Sequence, residues 1–198
     1  MILGITGGTG SGKSTLLQLI ADQGGKVLDC DALYHRLLET DDALLSSIEN
    51  RFPGVVNNGA LDRKKLGSIV FADQTALQDL NKITHAAVKA EILRQLETPH
   101  PLIAIDAIGL FEGELDQLCD VTVAITAPTA LRMQRIMERD NLTEDYARSR
   151  IEAQHADAWF VEKCDEKLEN DCTREEFTAK CLAFLCKLGI IKENAKGE

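Results

Sequence analysis

An α/β fold, with a parallel sheet of about five strands and helices on both faces, is what this 198-residue sequence predicts. Three observations carry that reading. Short apolar runs recur along the chain, separated by stretches of helical period, as crossover connections in a parallel sheet require. The first run feeds directly into a glycine-rich turn that opens a helix. Apolar residues make up 44% of the chain and are spread from end to end, so a domain-sized core can form.

Ile2–Thr6 reads as a short buried strand running into Gly7-Gly8-Thr9-Gly10-Ser11-Gly12. From Lys13 the pattern turns helical, with Leu16, Leu17, Leu19 and Ile20 on one face and Gly24-Gly25 as its stop. Lys26–Asp29 is a second strand. Residues 31–38 form a helix with an acidic first turn, as the helix dipole favours. Residues 41–97 are helical in pattern, broken by the turn material Phe52-Pro53-Gly54 and Asn57-Asn58-Gly59, with Leu61-Asp62-Arg63 as a helix start. This block is a candidate insert over a substrate. Residues 102–106 and 120–126 read as further buried strands, residues 130–138 as a helix and 143–158 as a second, arginine-rich one. Residues 164–169 make a fifth strand of poor composition. Residues 173–188 close the fold as a helix with Phe177, Cys181, Phe184 and Leu188 inward, and residues 192–198 read as a frayed tail.

The formal charge of −10 argues against nucleic-acid and anionic-membrane partners, which need basic patches. No stretch approaches the roughly 20 apolar residues of a membrane span, and residues 1–6 lack a signal-peptide pattern, so a cytoplasmic protein is expected. The six cysteines show no C-x-x-C spacing and are expected to be reduced and mostly buried.

Gly7 to Ser14 satisfies G-x-x-x-x-G-K-[ST] between an apolar strand and an amphipathic helix, the context in which that motif forms a phosphate-binding loop. The implied architecture is a three-layer fold like that of the P-loop nucleoside-triphosphate hydrolases. Glycines let the backbone wrap phosphates, and successive N–H groups with the helix N-terminus make an anion nest. Gly8, Thr9, Gly10, Ser11, Gly12, Lys13, Ser14 and Thr15 are therefore the candidate ATP-binding segment. Lys13 is expected on the β- and γ-phosphates, and Ser14 on Mg²⁺.

Asp106 ends a strand, where it either serves the metal and phosphate geometry or caps a turn. Asp29 and Asp31 follow the second strand at the carboxyl edge of the sheet, where open α/β folds bind ligands. Asp31 either orients an acceptor hydroxyl and takes its proton, or caps the following helix. Arg132, Arg135, Arg139, Arg148 and Arg150 cluster in an acidic chain. Arg139 and Arg135 are the candidates to touch nucleotide, and the other three read as surface. His85, alone in a helical stretch, reads as structural, and Trp159 and Phe160 as core.

Taken in order, several segments resemble the dephospho-CoA kinase family over most of the chain. They are the loop from Gly4 to Thr15, Leu28-Asp29-Cys30-Asp31, Leu61-Asp62-Arg63 with Val70-Phe71, and Leu80-Asn81-Lys82-Ile83-Thr84-His85. Leu110-Phe111-Glu112, Arg139-Asp140 with Leu142-Thr143, Arg150 to Gln154 and Asp165 to Asn170 complete the set. The sequence departs from the family at Ala86, where a proline is usual, and at Ala107-Ile108-Gly109.

The resemblance implies a P-loop kinase domain over residues 1–198, with its core at 1–40, 100–138 and 160–190. A helical substrate-covering insert would span about 41–98, and an arginine-rich lid about 139–159. It implies ATP-dependent phosphorylation of the 3′-hydroxyl of dephospho-CoA, with Mg²⁺ accompanying ATP. Asp31, Lys13 and Arg139 would be catalytic, Arg135 would join the ATP site, and Asp31, His85 and Asp106 would face the acceptor. A monomer is expected. Two other readings of the loop stay open: another small-molecule P-loop kinase, or a nucleotide-driven switch.

Overall fold

The structure is a computed structural model that describes residues 1–192. In chain order its elements begin β1 (Ile2–Thr6), α1 (Lys13–Asp22), β2 (Lys26–Asp29), α2 (Cys30–Thr40), α3 (Asp42–Arg51), β3 (Val56–Asn57), β4 (Ala60–Leu61), α4 (Arg63–Val70) and α5 (Gln74–Leu96). They continue with β5 (Ile103–Asp106), β6 (Val121–Thr126), α6 (Thr129–Asp140), α7 (Glu144–Glu152), α8 (Asp157–Lys163), β7 (Glu166–Glu169) and α9 (Arg174–Lys187). The chain forms two compact units, one of Met1–Leu28, His100–Leu110 and the segment from Asp116 onward, the other of Asp29–Pro99 and Phe111–Leu115.

The first unit is built on a five-stranded sheet in the order β2-β5-β1-β6-β7. β1 runs parallel to β5, with Ile2 opposite Ile103, and to β6, with Leu3 opposite Val121. β7 adds to β6 in parallel, with Val123 opposite Glu166. Alternation along β1 and β6 sends Leu3, Ile5, Val123 and Ile125 into one core with Leu16 and Ile20 of α1 and Phe177, Cys181, Phe184 and Leu185 of α9. Leu188, expected inward, packs half-buried against that core, one residue past the helix end at Lys187. α8 packs on β6 with Phe160 fully buried. The weak composition of the fifth strand has a simple cause: β7 is an edge strand whose residues alternate half-buried and exposed, so its charges stay solvated.

One sequence expectation is corrected here and one, a turn, is met and extended. The single helix expected over 143–158 is two helices, broken at residues 153–156. The chain leaves helical geometry there because Gln154 and Asp157 are drawn into hydrogen bonds with other elements, described below. The turn at Asn57-Asn58-Gly59 is the tip of a hairpin, β3 with β4, in which Val56 faces Leu61. Asn58 and Gly59 adopt φ of 52° and 77°, the primed turn that a two-residue hairpin loop requires. Of the expected tail, residues 193–198 lie outside the described residues.

The second unit is helical apart from that hairpin, with α2, α3 and α4 all packed on the long α5. Its helices start on aspartates: Asp29, Asp41, Asp62 and Asp73 each accept from backbone N–H groups of the turn that follows. Arg36 of α2 pairs with Glu91 of α5 at 3.0 Å, and Arg51 of α3 pairs with Asp79 at 2.7 Å.

All six cysteines are thiols. Burial pushes Cys119 and Cys181 up to about 12 and Cys164 up to about 11, which suppresses the reactive thiolate. Iodoacetamide at neutral pH therefore leaves these three unmodified in the native protein and modifies them after denaturation, as peptide mass spectrometry would read. Rapid native modification of any of them would contradict the packing.

Candidate active site

The loop after β1 emerges where the winding of the sheet reverses, with β5 on one side and β6 on the other, the place where open α/β sheets take ligands. Gly12 precedes α1 with φ 102° and no side-chain cap, so the first-turn N–H groups keep their positive dipole end for an anion. A Cβ at Gly12 would run into the Asn170 carboxamide, and one at Gly8 into the Arg132 guanidinium. Those two glycines mark where other elements press on the loop.

What presses on it is a polar brace. Three consecutive loop carbonyls accept hydrogen bonds from distant side chains: Thr9 O from Arg132 Nε at 2.9 Å, Gly10 O from Arg135 at 3.2 Å, and Ser11 O from Asn170 Nδ2 at 2.8 Å. Arg135 also bonds Asn170 Oδ1 at 3.1 Å, tying α6 to the end of β7. Gln154, in the break between α7 and α8, takes the Thr9 N–H at 2.8 Å and donates to Thr9 Oγ1 at 2.8 Å. Arg132 is 3% exposed and completes its fork with Asp157 Oδ1 at 2.9 Å and Gln154 Oε1 at 3.3 Å. Buried carbonyls held this way leave the loop's conformation over-determined before any ligand binds.

Sequence reasoning missed this brace. Arg132, read as surface, is buried, and Gln154, Asp157 and Asn170 were assigned no role. The partners lie 123 to 159 residues from the loop carbonyls they serve, a separation across which no local spacing rule reaches. Arg148 does lie on the surface, paired with Glu144 at 2.7 Å. Arg150 reaches Asp140 at 2.8 Å.

The remaining sequence-predicted residues are placed as follows. Lys13 Nζ donates to Gly7 O at 2.9 Å, curled over the loop, and Ser14 and Thr15 follow in the first turn of α1, Ser14 exposed. Asp106 ends β5 opposite Ile5, beside the strand that launches the loop, with Oδ1 buried. Arg139, on α6, forms a fork with both oxygens of Asp140 at 2.7 and 2.9 Å. Asp31 and His85 belong to the second unit, on α2 and α5. Asp29 Oδ1 accepts from Ala32 N at 3.0 Å and so supplies the cap of α2. Asp31 is exposed, and no described residue hydrogen-bonds its carboxylate. His85 is half-buried.

The Arg139 fork, and then the charge of Arg150, hold Asp140 down to about 2. A carboxylate lowered on folding stabilises above its ordinary value near 4, and that contribution is lost as pH falls from there towards 2. Hydrogen exchange over residues 139–152 should accelerate across that window in the wild type. Asp140→Asn should be fast already at pH 5, and an identical profile in both proteins would reject the clamp.

Among the described residues no helix is long and apolar enough to cross a membrane. The family model for dephospho-CoA kinase matches residues 1–176. A dephospho-CoA kinase of Bacillus anthracis is 33% identical over 197 residues, covering 96% of this chain and 98% of its own. The crystal structure of TT1252 from Thermus thermophilus superposes with a TM-score of 0.79 at 32% identity, covering 95% of this chain and 97% of its own. A dephospho-CoA kinase from Campylobacter jejuni superposes at 0.68 with 25% identity, covering 94% and 96%. With a P-loop kinase fold and a match of this extent, the chain belongs to the dephospho-CoA kinase family.

Proposed function

We propose that the protein transfers the γ-phosphoryl group of ATP to the 3′-hydroxyl of dephospho-CoA, giving CoA and ADP. The observation that carries this reading is the braced loop, a phosphate cradle whose carbonyls are held by Arg132, Arg135 and Asn170 in a chain of this family. The loop from Gly8 to Thr15 binds the phosphates, with Thr9 kept in register by Gln154. Lys13 exchanges its contact with Gly7 O for the β- and γ-phosphate oxygens. Asp31 accepts the proton of the attacking hydroxyl as the new P–O bond forms and the bond to the leaving ADP oxygen breaks. Arg139 turns from Asp140 to meet charge on the transferred group. His85 and Asp106 position the acceptor.

The Ser14 hydroxyl and the Asp106 carboxylate are hard oxygen donors flanking the phosphate loop, a set that suits Mg²⁺ carried in on ATP. Bound there, Mg²⁺ would neutralise phosphate charge. The reading places a monomeric enzyme in the cytoplasm, in keeping with its six thiols.

Incubation with MgATP and dephospho-CoA should yield CoA and ADP in equal amounts. Lys13→Ala should lower kcat by about 10²–10³-fold, the usual effect of removing one charge-stabilising donor. ATP binding without CoA formation, with a nucleoside accepted instead, would favour another small-molecule kinase.

A further inference from the structure

We infer that a groove between the start of α6 and the break separating α7 from α8 binds a small amphipathic monocarboxylate, and that its occupancy is linked to nucleotide binding. The inference does not depend on the identity of the phosphoryl acceptor. The groove has a volume of about 700 Å³, in the range of small-molecule sites, and its lining lies wholly within the first unit. Strand alternation sets its floor. Val123 and Ile125 of β6 and Leu168 of β7 pack on the side of α1 and α9, so Thr126, Lys167 and Glu169 face the other way, into the groove beside α8.

Two independent features open on this groove. Thr126 is 4% exposed, and its Oγ1 is buried with no hydrogen-bond partner among the described residues. Thr122, on the same face of β6, shows the contrast. Its hydroxyl donates to Asp165 Oδ2 at 2.7 Å and accepts from Asp165 N at 3.0 Å. A buried hydroxyl is ordinarily matched in this way, because it gives up water on folding. The second feature is the start of α6 at Thr129, after Pro128, which no side chain caps. The N–H groups of that first turn keep their positive dipole end for a ligand. Thr126, Pro128 and Thr129 all line the groove.

The rest of the lining fixes the class of ligand. Arg132 is matched to Asp157 at 2.9 Å and Lys167 to Glu169 at 3.0 Å, while Glu152 is exposed. A phosphate dianion would meet three carboxylates and only cations that are already paired. A monocarboxylate asks for less: one oxygen on the Thr126 hydroxyl, the other on the first-turn N–H groups of α6. Asp157 Oδ2 accepts from Ala127 N at 3.3 Å, just ahead of the helix, and shows that a carboxylate is tolerated at this end. Ile151 of α7 and Ala158 and Val161 of α8 add apolar surface on which a short hydrocarbon body leaves water.

The same lining touches the phosphate loop. Arg132 donates to Thr9 O, Gln154 holds the Thr9 N–H and hydroxyl, and both side chains border the groove. A ligand lying between α6 and the α7–α8 break steadies the segment that carries Gln154, and so favours the loop conformation that takes phosphates. Such a linkage is reciprocal: nucleotide tightens the carboxylate by the factor with which the carboxylate tightens nucleotide.

Hexanoate is a suitable probe, titrated into the isotope-labelled full chain and followed by amide NMR shifts. Saturable shifts are expected at residues 126–130 and 154–158, with a Kd of about 1 mM. Hexanamide, which keeps the shape and loses the charge, should bind about 5- to 10-fold more weakly. Thr126→Val should weaken hexanoate by about 10-fold. The same isosteric change should raise the melting temperature by about 2–4 °C, since it removes a buried hydroxyl that has no partner. Ala158→Phe, at an exposed position on α8, should block the groove in a folded chain. A saturating non-hydrolysable ATP analogue should tighten hexanoate by about 5-fold or more.

No saturation up to about 20 mM, equal binding of hexanamide, or tighter binding of hexyl phosphate overturns the site. So does binding indifferent to Thr126→Val or to Ala158→Phe, or a lower melting temperature in Thr126→Val. A hexanoate affinity that the nucleotide leaves unmoved overturns the linkage. None of these readings involves turnover, so the assigned reaction stands or falls separately.

Discussion

Replacing Asp31 with asparagine should lower kcat by about 10²–10⁴-fold, the range a general base supplies. Both kcat and kcat/KM should fall together, because the interaction is made only as the hydroxyl loses its proton. The KM for ATP should hold. The geometry makes this a clean test, since the cap of α2 comes from Asp29 and not from Asp31. As an acidic first-turn residue, Asp31 contributes only about 0.3–1 kcal/mol through the helix dipole, too little to unfold the protein when its charge is removed. Asp29→Ala supplies the converse. It should destabilise α2 by about 1 kcal/mol while leaving the pH profile of kcat in place. Turnover near the wild-type level in folded Asp31→Asn would assign the proton to some other group.

Arg132→Met should have the largest effect on stability of any single change in the brace. Arg132 is 3% exposed, and its loss takes the ion-pair partner from the Asp157 carboxylate and the side-chain donor from the Thr9 carbonyl, while Gln154 Oε1 keeps the Thr9 N–H. Breaking a buried pair from one side costs about 3–5 kcal/mol. Asp157 is 30% exposed and recovers some hydration, so about 3 kcal/mol is expected. For a chain of this size that corresponds to a fall in melting temperature of about 6–12 °C, readable by calorimetry. Arg132→Met with Asp157→Leu should regain part of the loss, since a carboxylate no longer sits opposite an apolar chain. The single variant should also raise the KM for ATP, because Thr9 and Gln154 lose the group that sets their register. A melting temperature unchanged in Arg132→Met would mean that the loop is held by Arg135 and Asn170 alone.

How far each part of the molecule was legible follows from how local its cause is. Four of the five strands and the helices around residues 13–22, 31–38, 130–138 and 173–188 could be read directly, because apolar period and flanking glycine or aspartate act over a few residues. The fifth strand was legible but faint, since an edge position permits Glu166, Lys167 and Glu169 where a central strand would not. The continuous helix expected over residues 143–158 failed for a tertiary reason. Local propensity there favours helix, but the carboxamide of Gln154 is committed to Thr9 and the chain breaks to deliver it. Asp29 and Asp31 show the same limit at smaller scale. Sequence left both open to capping or chemistry, and only the 3.0 Å contact from Ala32 N to Asp29 separates them.

The α/β architecture, the phosphate-binding loop and the family resemblance could all be read from the order of the amino acids. All three are written in contiguous residues whose backbone and dipole requirements are local: glycines to turn, an uncapped helix start, a lysine and a serine at fixed offsets. Which arginines are buried as scaffold and which stay in solvent emerges only on folding. Arg132 and Arg139 stand on one helix with the same chemistry, yet one is buried under the loop and the other is 61% exposed beside Asp140. The physical reason is desolvation. A guanidinium can leave water only where carbonyls and a carboxylate from other parts of the chain converge on it, and that convergence exists only once the sheet has formed.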